Sequence, residues 1–417
     1  MPFLYSAAVA GYHFGVRIAA LWNPKAKAWV QGREGLWERL NAERDVLKGC
    51  LWMHCASVGE FEQGRPVLEA IKAERPDLPV LLTFFSPSGY EARKDYPLAT
   101  HVDYLPADSD ANAHRLVELL APRAAIFVKY EFWYHHLHAL KAKAVPTFLV
   151  SAIFRAGQPF FKWYGSAWRA MLGCYERVFT QDETSKDLLA AIGVANVTVS
   201  GDTRFDRVME IVQAHEELPI ARALAQANGR VLVCGSTWPA DERLLLKALQ
   251  VARATPRILI APHEPGKEHL AAIDRDFPEP LMAWSAVDHD AVPAQFSELR
   301  TLLVDRMGLL ARLYKYADVA YVGGGFGDGI HSLLEAAAWG KPVIFGPKHT
   351  KFAEAKGLID AGGGFEVRNA KELRAALDRL LGDKDALAKA GEAAGKYVRD
   401  RVGATARAVQ RILPLLA

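Results

Sequence analysis

The most reactive side chains of this sequence, carboxylates and hydroxyls among them, lie where predicted strands end. Glu60 closes the segment His54–Glu60 (HCASVGE), which directly follows the buried-strand pattern Leu51–Cys55. Ser57 is suited to cap the next helix, and Gly59 lets the backbone turn sharply. A carboxylate in this first helical turn has the position that a general base needs, close to a substrate hydroxyl. The plainer interpretation is a capping glutamate that compensates the helix dipole.

Three further strand ends carry polar groups. A hydroxyl-rich turn with Ser86 and Ser88 follows the second strand, where it would either cradle an anionic group or cap a helix. Glu131 stands between aromatic residues, so it is either paired and structural or functional. Arg155 presents a cation after the next strand. Because parallel strands share one edge for their carboxyl ends, four successive polar ends indicate a binding site there.

The second half contains a glycine-rich stretch, Val322–Pro347 (VGGGFGDGIHSLLEAAAWGKPVIFGP). Its pattern predicts a strand, a turn and a helix from about His331. Gly324 and Gly325 lack Cβ atoms, so that backbone N–H groups there and at the helix terminus can approach a phosphate. Glu335, one helical turn after His331, would accept from a ribose diol. The alternative is a loop that only permits tight strand–helix packing; the spacing is not the dinucleotide fingerprint GxGxxG.

Other polar residues of the second half complete a nucleotide site. A phosphate would meet Ser236 and Arg204, and a nucleobase would lie against Pro262 and His263. Plainer roles remain open: Ser236 as a helix cap, Arg204 in a salt bridge, and His263 as a surface histidine. No acidic and histidine residues have metal-ligand spacing, and no DxD-like pair stands beside the glycine loop. The sequence therefore predicts neither a metal nor a cofactor.

Composition limits the class of protein. A chain of 417 residues predicts two domains. A net charge of +3 gives no reason to expect a nucleic acid partner. The four cysteines (Cys50, Cys55, Cys174 and Cys234) have no CxxC or zinc spacing, so they suit buried thiols in a reducing compartment.

From Cys50 onward, short apolar runs alternate with helical segments, which predicts parallel sheets covered by helices on both faces. The fold predicted is α/β, with two Rossmann-like, doubly wound domains facing each other across a cleft. The predicted division is a membrane-associated segment at 1–48, a first domain at 49–206, a second at 207–400 and a C-terminal helix at 401–417. That last helix, or both of the last two (Asp385–Val398 and Thr405–Leu415), would return to the first domain.

The N-terminal segment Phe3–Trp22 (FLYSAAVAGYHFGVRIAALW) is almost wholly apolar and approaches the length of a membrane span. Ser6, His13 and Arg17 fall on one side of a helix, and no basic region precedes the apolar run, as a secretory signal would require. Basic residues interleaved with tryptophans follow it. This pattern favours an apolar helix lying on an anionic leaflet; a helix packed on its own domain is the alternative, and a full span is less favoured.

The chain resembles the Kdo (3-deoxy-D-manno-octulosonic acid) transferases of lipopolysaccharide assembly, which have the two-domain GT-B arrangement. The resemblance covers most of the chain and depends on an ordered set of motifs: Ser57–Glu60 (SVGE), Ser86–Gly89 (SPSG), Glu131–Trp133 (EFW), Gly201–Asp206 (GDTRFD), Asp305–Gly308 (DRMG), and Gly323–Glu335 with Gly346-Pro347. Each motif alone is weak, whereas the set in this order is specific.

The resemblance implies an inverting, metal-independent transfer of Kdo from CMP-Kdo to a hydroxyl of the lipid A precursor. Glu60 matches the family's catalytic base, and Glu131 matches its second essential glutamate. The matching CMP-contacting positions are Arg204, Ser236, His263, His331, Ser332 and Glu335, with the glycine turn. Ser57, Gly59, Ser86, Ser88 and Arg155 then line the acceptor side. The family is held to the cytoplasmic face of the inner membrane of Gram-negative bacteria, which gives an anionic membrane surface as a further partner.

The chain departs from the family pattern at several positions. No arginine precedes His263, Ser332 replaces an asparagine, Tyr134 replaces a proline, and Arg204 stands where many members have lysine. Arg204 or Arg306 would substitute for the missing arginine, because a guanidinium can bind a phosphate with two parallel hydrogen bonds. Two other functions stay open: a nucleotide-sugar epimerase of the same architecture, and a non-catalytic relative whose site has decayed.

Overall fold

The computed structural model describes residues 2–227, 229–253, 255–287, 296 and 298–416. The chain divides into two compact units, Met1–Asp206 with Gly403–Ala417, and Arg207–Val402. Each unit is built around one seven-stranded sheet with parallel strands. The predicted α/β class with two parallel sheets is therefore confirmed.

The first sheet has the strand order β3-β2-β1-β4-β5-β6-β7. Four of its strands are buried along their whole length, as expected for a parallel sheet that is covered on both faces. The strands are β1 (Leu51–Cys55), β2 (Val80–Phe84), β3 (His101–Tyr104), β4 (Ala124–Val128), β5 (Thr147–Ala152), β6 (Arg177–Thr180) and β7 (Val197–Val199).

The second sheet repeats this plan in the order β10-β11-β9-β8-β12-β13-β14. Its strands are β8 (Val231–Thr237), β9 (Arg257–Pro262), β10 (Leu281–Ala283), β11 (Thr301–Leu303), β12 (Val319–Val322), β13 (Val343–Phe345) and β14 (Gly364–Glu366). The short strands β10 and β14, at the two edges, were not predicted from the sequence.

The strand order reverses once in each sheet, between β1 and β4 in the first and between β8 and β12 in the second. At such a reversal the connecting chains leave toward opposite faces of the sheet, which opens a crevice beyond the carboxyl ends of the two central strands. The loop of Glu60 follows β1, and that of Glu131 follows β4. The loop of Trp238 follows β8, and the glycine-rich loop follows β12. Glu60, Glu131, Ser236 and the glycine-rich loop thus lie at the two reversals, whereas other predicted site residues, such as Ser86, Arg155 and His263, follow neighbouring strands.

Helices cover both sheets. The first unit has the helices Pro2–Ala19, Pro24–Gly32, Leu36–Ala42, Arg44–Leu47, Val58–Glu74, Pro87–Arg93, Asp110–Leu120, Tyr134–Ala142, Ser166–Leu172, Glu183–Ala190 and Ala404–Ile412, and Thr203–Gln213 begins in it. The second unit has Pro219–Gln226, Pro239–Leu249, Lys267–Asp276, Leu310–Leu313, Leu334–Ala338, Ala353–Ala361, Ala370–Gly382 and Lys384–Arg399.

The C-terminal helix Ala404–Ile412 belongs to the first unit. Its apolar side chains Ala408, Val409 and Ile412 join the buried cluster of β1, β2 and the helix Val58–Glu74. The Asp206 carboxylate stabilises the beginning of this helix by accepting hydrogen bonds from the backbone N–H groups of Gly403 and Thr405. The preceding helix, Lys384–Arg399, lies in the second unit, so only the last helix returns to the first.

The N-terminal helix ends at Ala19, before Trp22, and makes polar contacts with the first unit. Tyr5 donates to Asp108 at 2.5 Å, and Ser6 lies 2.8 Å from His135 Nε2. Phe3 and Phe14 are exposed, by 81% and 66%, whereas Val9, His13 and Val16 are half-buried and the His13 ring packs on Trp29. Among the described residues, no helix combines the length and apolarity needed to cross a bilayer. The full span that the sequence left as its less favoured alternative thus has no counterpart among the described helices.

The helix predicted from about His331 is also displaced. It runs from Leu334 to Ala338, so His331 and Ser332 lie in the loop before it. Backbone hydrogen bonds stabilise this loop, since His331 N–H donates to Gly323 and Gly329 N–H donates to Gly324. The predicted pairing of His331 and Glu335 on one helical face is therefore wrong.

Candidate functional site

Glu60 occupies the first turn of the helix Val58–Glu74, at the reversal point of the first sheet. Its carboxylate is half-buried and accepts a hydrogen bond from the hydroxyl of Ser57. Ser57 is the N-cap residue, but its side chain makes no hydrogen bond to the N–H groups of the helix. The hydrogen bond that Glu60 accepts therefore comes from a hydroxyl rather than from the helix backbone, so Ser57 and Glu60 do not form a capping box.

Glu131 lies in the loop after β4, the other strand at this reversal, and is only 5% exposed. His54 Nε2 lies 3.0 Å from its Oε2, and Trp133 Nε1 donates to the same oxygen at 2.6 Å. The hydroxyl of Tyr175 donates to the Glu131 backbone carbonyl. Glu131 is thus a paired carboxylate whose side chain and backbone are both held by hydrogen bonds.

The other residues predicted for the acceptor side keep largely local contacts. Ser86 caps the helix Pro87–Arg93 by accepting from Gly89 N–H at 3.1 Å, so its capping role is observed. Ser88 is exposed and donates to Ser86 at 3.4 Å. Gly59 and Arg155 are exposed after β1 and β5.

On the donor side, three aromatic rings stack beyond β8, β9 and β12. The rings of His263 and His331 lie 4.1 Å apart with an interplanar angle of 21°, and Trp238 packs on His263 at 5.0 Å. Trp238 Nε1 also donates to His331 Nε2 at 3.1 Å. The neutral His331 ring therefore carries its proton on Nδ1. Trp238 was not predicted as a site residue, although its position just after a strand was a usable signal.

Asp241 holds the loops of this stack through hydrogen bonds, and it was not predicted as a site residue either. Its buried carboxylate accepts from Trp238 N–H at 3.0 Å, from Gly324 N–H at 2.9 Å and from the Tyr321 hydroxyl at 2.8 Å. Burial, with the neighbouring Asp241 carboxylate, raises the pKa of Tyr321, so its hydroxyl remains a donor. One carboxylate thus connects the loop after β8 to the glycine loop after β12.

The glycines of the loop have a steric role as well. A Cβ on Gly325 would lie 2.6 Å from the Gly346 backbone, and one on Gly323 would lie 2.3 Å from the Ser236 carbonyl. Gly324 has a φ of +91°. Tight packing, the alternative considered from the sequence, therefore explains Gly323 and Gly325 without a ligand.

Ser236 and Arg204 have specific local contacts. Ser236 belongs to β8 with a left-handed φ of +51°, and the next helix is capped by Trp238, so Ser236 is not its cap. Strained backbone of this kind is concentrated at functional sites. Arg204 lies in the first unit and pairs with Asp202 at 2.7 Å, as the salt-bridge alternative expected.

The remaining predicted donor residues lie around the same reversal in the second unit. Pro262 ends β9, Ser332 is half-buried in the glycine loop, and Glu335 is half-buried in the first turn of its helix. Within the part of the chain that the structure describes, no three His, Cys, Asp or Glu side chains are grouped to hold a metal ion.

Sequence comparison decides the family. The profile of the 3-deoxy-D-manno-octulosonic-acid transferases (kdotransferases) matches residues 31–207. The transferase of Aquifex aeolicus (strain VF5) is 31% identical over 347 residues, which covers 81% of this chain and 87% of the relative. That of Bordetella pertussis is 32% identical over 386 residues, covering 88% and 87%. The chain belongs to the Kdo transferase family. It is therefore a glycosyltransferase.

The fold is shared more widely than the family. The UDP-GlcNAc 2-epimerase of Neisseria meningitidis, solved with UDP-GlcNAc bound, has a TM-score of 0.61 at 16% identity, over 87% of this chain and 99% of that one. At this identity the likeness establishes the fold alone. The fold alone is compatible with a transferase and with an epimerase. Membership of the Kdo transferase family identifies this protein as a transferase.

His331 should make the stability of this protein depend on pH. Burial, together with the neighbouring His263, lowers the pKa of His331 from 6.5 to about 4. The unfolded chain therefore binds a proton near pH 6.5 that the folded chain binds only near pH 4, so stability falls as the pH drops between these values. The slope is at most about 1.4 kcal/mol per pH unit. Urea unfolding near pH 7.5 and near pH 5 should show a smaller loss of stability for His331→Gln than for the wild type.

The exposed His215 provides the control, since His215→Gln should keep the wild-type pH dependence. Equal pH dependence in wild type and His331→Gln would contradict the assignment of the low pKa to His331.

Proposed function

We propose that this protein transfers Kdo from CMP-Kdo to a hydroxyl group of a lipid A precursor, with inversion at the anomeric carbon and without a metal ion. The observation that carries the proposal is Glu60, a half-buried carboxylate held by Ser57 at the reversal of the first sheet. The family membership and the ordered motifs support the sugar, and the nucleotide follows from the resemblance. The proposed location is the cytoplasmic face of the inner membrane of a Gram-negative bacterium.

In the proposed reaction Glu60 is the general base. The acceptor hydroxyl attacks the anomeric carbon of Kdo and passes its proton to Glu60, while the bond between that carbon and the CMP phosphate oxygen breaks. A positioned base of this kind contributes about 10²–10⁴-fold in rate. CMP departs as an anion and needs no proton. Ser57 supports this role because its hydrogen bond orients the carboxylate without neutralising it.

Residues of the second unit are proposed to bind the CMP moiety. The stack of His263 and His331 offers an aromatic surface for the cytosine, with Pro262 beside it in sequence. Glu335 would accept from the ribose diol. Ser236, Ser332 and the loop of Gly324 and Gly325 would donate to the phosphate. Arg204 belongs to the first unit, and only the family resemblance supports its proposed role of adding a positive charge that stabilises the departing anion. The short helix after the loop contributes little dipole, so side chains and loop N–H groups bear this role.

The acceptor side and the membrane surface are proposed for the first unit. Ser57, Gly59, Ser86, Ser88 and Arg155 would line the acceptor, and Glu131 would be the second catalytic glutamate beside Glu60. The exposed apolar side chains of the N-terminal helix support attachment to an anionic membrane, with the basic residues of 25–44 at the headgroups.

Replacing Phe3, Leu4 and Phe14 by serine should strongly reduce binding to anionic phospholipid vesicles. These side chains are 81%, 69% and 66% exposed, so the melting temperature should not change. Burying one such side chain in an apolar environment contributes about 1.5–3 kcal/mol, so losing three should weaken partitioning more than about 100-fold. Cosedimentation with vesicles measures it.

Met307→Ser with Val251→Ser is the matched control, since both side chains are similarly exposed in the second unit, by 70% and 57%. Unchanged vesicle binding of the N-terminal variant would contradict membrane attachment through this helix.

The proposed activity is tested by mass spectrometry of a lipid A precursor incubated with the protein, freshly generated CMP-Kdo and a chelator. A mass gain of one or more Kdo units supports the transfer and counts the additions. No gain, with intact CMP-Kdo and folded protein, would overturn it in favour of another donor sugar or a decayed site. Epimerisation of a nucleotide sugar without any lipid acceptor would instead favour the epimerase.

A further inference from the structure

A chain of buried hydrogen bonds leads from the core of the first sheet to Glu131. Trp52 Nε1 donates to the Thr83 hydroxyl at 2.9 Å, and that hydroxyl lies 2.9 Å from His54 Nδ1. The other ring nitrogen of His54 lies 3.0 Å from Glu131 Oε2. His54, Trp52 and Thr83 are fully or almost fully buried on neighbouring strands β1 and β2. No role assigned so far uses these three residues.

The direction of the last hydrogen bond follows from the chemistry of its partner. His54 Nδ1 lies 2.9 Å from the Thr83 hydroxyl and 3.1 Å from the Thr83 backbone carbonyl, so both groups hold this side of the ring. Glu131 Oε2 is a carboxylate oxygen that also accepts from Trp133 Nε1. Nε2 of His54 therefore carries a proton and donates it to Glu131.

Both donors of Glu131 use a single carboxylate oxygen. His54 and Trp133 each reach Oε2, whereas Oε1 accepts no hydrogen bond from the described residues. Since the backbone carbonyl of Glu131 is held by Tyr175 as well, the carboxylate has little rotational freedom. One oxygen is anchored and the other remains available.

We propose that His54 is a positioning residue, which anchors Oε2 of Glu131 so that Oε1 is presented to the acceptor sugar. The expected effect of His54 on turnover rests on the proposed function, whereas the hydrogen-bond geometry of His54 and Glu131 does not depend on it. A rigid second carboxylate next to the loop of the general base would orient the acceptor hydroxyl, and a misplacement of about 1 Å can cost about 100-fold in rate.

Two substitutions at His54 separate positioning from packing. His54→Leu fills the space without a donor, whereas His54→Gln supplies an amide N–H toward Glu131. His54→Leu should lower kcat by about 100-fold, with a smaller change in KM, and His54→Gln should restore most of the loss. His136→Leu is the matched control, because His136 is equally buried, packs on Trp52 and donates from Nε2 to the Pro106 carbonyl rather than to Glu131. It should lower stability but not kcat.

A double-mutant cycle with Glu131→Gln tests whether His54 acts through that carboxylate. If it does, His54→Leu should cost little further activity once Glu131 has been replaced. Independent, multiplicative losses in the double variant, or full activity of His54→Leu, would overturn the proposal.

A measurement that does not depend on turnover separates the proposed positioning role of His54 from the proposed Kdo transfer. ¹⁵N NMR of histidine-labelled wild-type protein reports which ring nitrogen of His54 is protonated. A proton on Nε2, and a changed His54 signal in Glu131→Gln, support the inference even if no transfer is found, in which case only the proposed function fails. A neutral ring protonated on Nδ1 overturns it.

Discussion

Replacing Glu60 by glutamine should lower kcat for Kdo transfer by about 10²–10⁴-fold, the usual contribution of a general base. Glutamine keeps the size of the side chain and can still accept from Ser57, so the fold and the binding of substrates should change little. It cannot take the proton of the attacking hydroxyl, and this loss appears in kcat rather than in KM. Initial rates over a range of acceptor concentrations measure it.

Glu62→Gln is the matched control for Glu60. Glu62 lies on the same helix two residues later, is also half-buried, and forms an ion pair with Arg93 at 2.7 Å. It should keep kcat near the wild-type value, because a partly exposed ion pair contributes about 1 kcal/mol or less to stability. Turnover of Glu60→Gln within a few-fold of the wild type would exclude Glu60 as the base.

Replacing Asp241 by alanine should have the largest effect on the second unit. The substitution leaves three donors, the N–H groups of Trp238 and Gly324 and the Tyr321 hydroxyl, without their shared acceptor inside the protein. A buried unsatisfied polar group costs about 1–3 kcal/mol, so the free energy of unfolding should fall by about 3–5 kcal/mol. Urea denaturation measures this loss.

The same substitution should weaken binding of CMP-Kdo at least tenfold in calorimetry, because Asp241 holds both loops of the proposed donor site. Tyr321→Phe removes only one of the three hydrogen bonds and should cost about 1 kcal/mol. Asp274→Ala, at an exposed position, should leave both stability and affinity unchanged. A stability loss below that of Tyr321→Phe would show that Asp241 does not hold the two loops together.

The central strands were predictable because parallel strands covered on both faces are continuous apolar runs. The apolar run Leu51–Cys55 coincides with β1, and the apolar stretches Val319–Val322 and Val343–Phe345 are the strands β12 and β13. The edge strands β10 and β14 were missed because each has three residues and is only partly buried, so hydrophobic pattern marks them weakly. The helix after the glycine loop was placed too early, since backbone hydrogen bonds, which no residue pattern reveals, keep His331 outside it.

What the sequence determined by itself was local. The alternation of strands and helices, the strand-end positions of Glu60 and Glu131, and the motif set that indicates a Kdo transferase all follow from short stretches of chain. Such signals depend on neighbouring residues, and neighbouring residues are what a sequence displays.

Which strand ends are neighbours, and which carboxylates are held by hydrogen bonds, depends on the packing of the folded chain. Strand order brings β1 next to β4 and β8 next to β12, so two reversals gather the candidate residues. His54 and Glu131 are 77 positions apart, and Asp241 and Gly324 are 83 apart, yet each pair is hydrogen-bonded. Contacts of this kind depend on how the whole sheet packs and on which polar groups must find partners once buried, and neither is encoded in a local pattern.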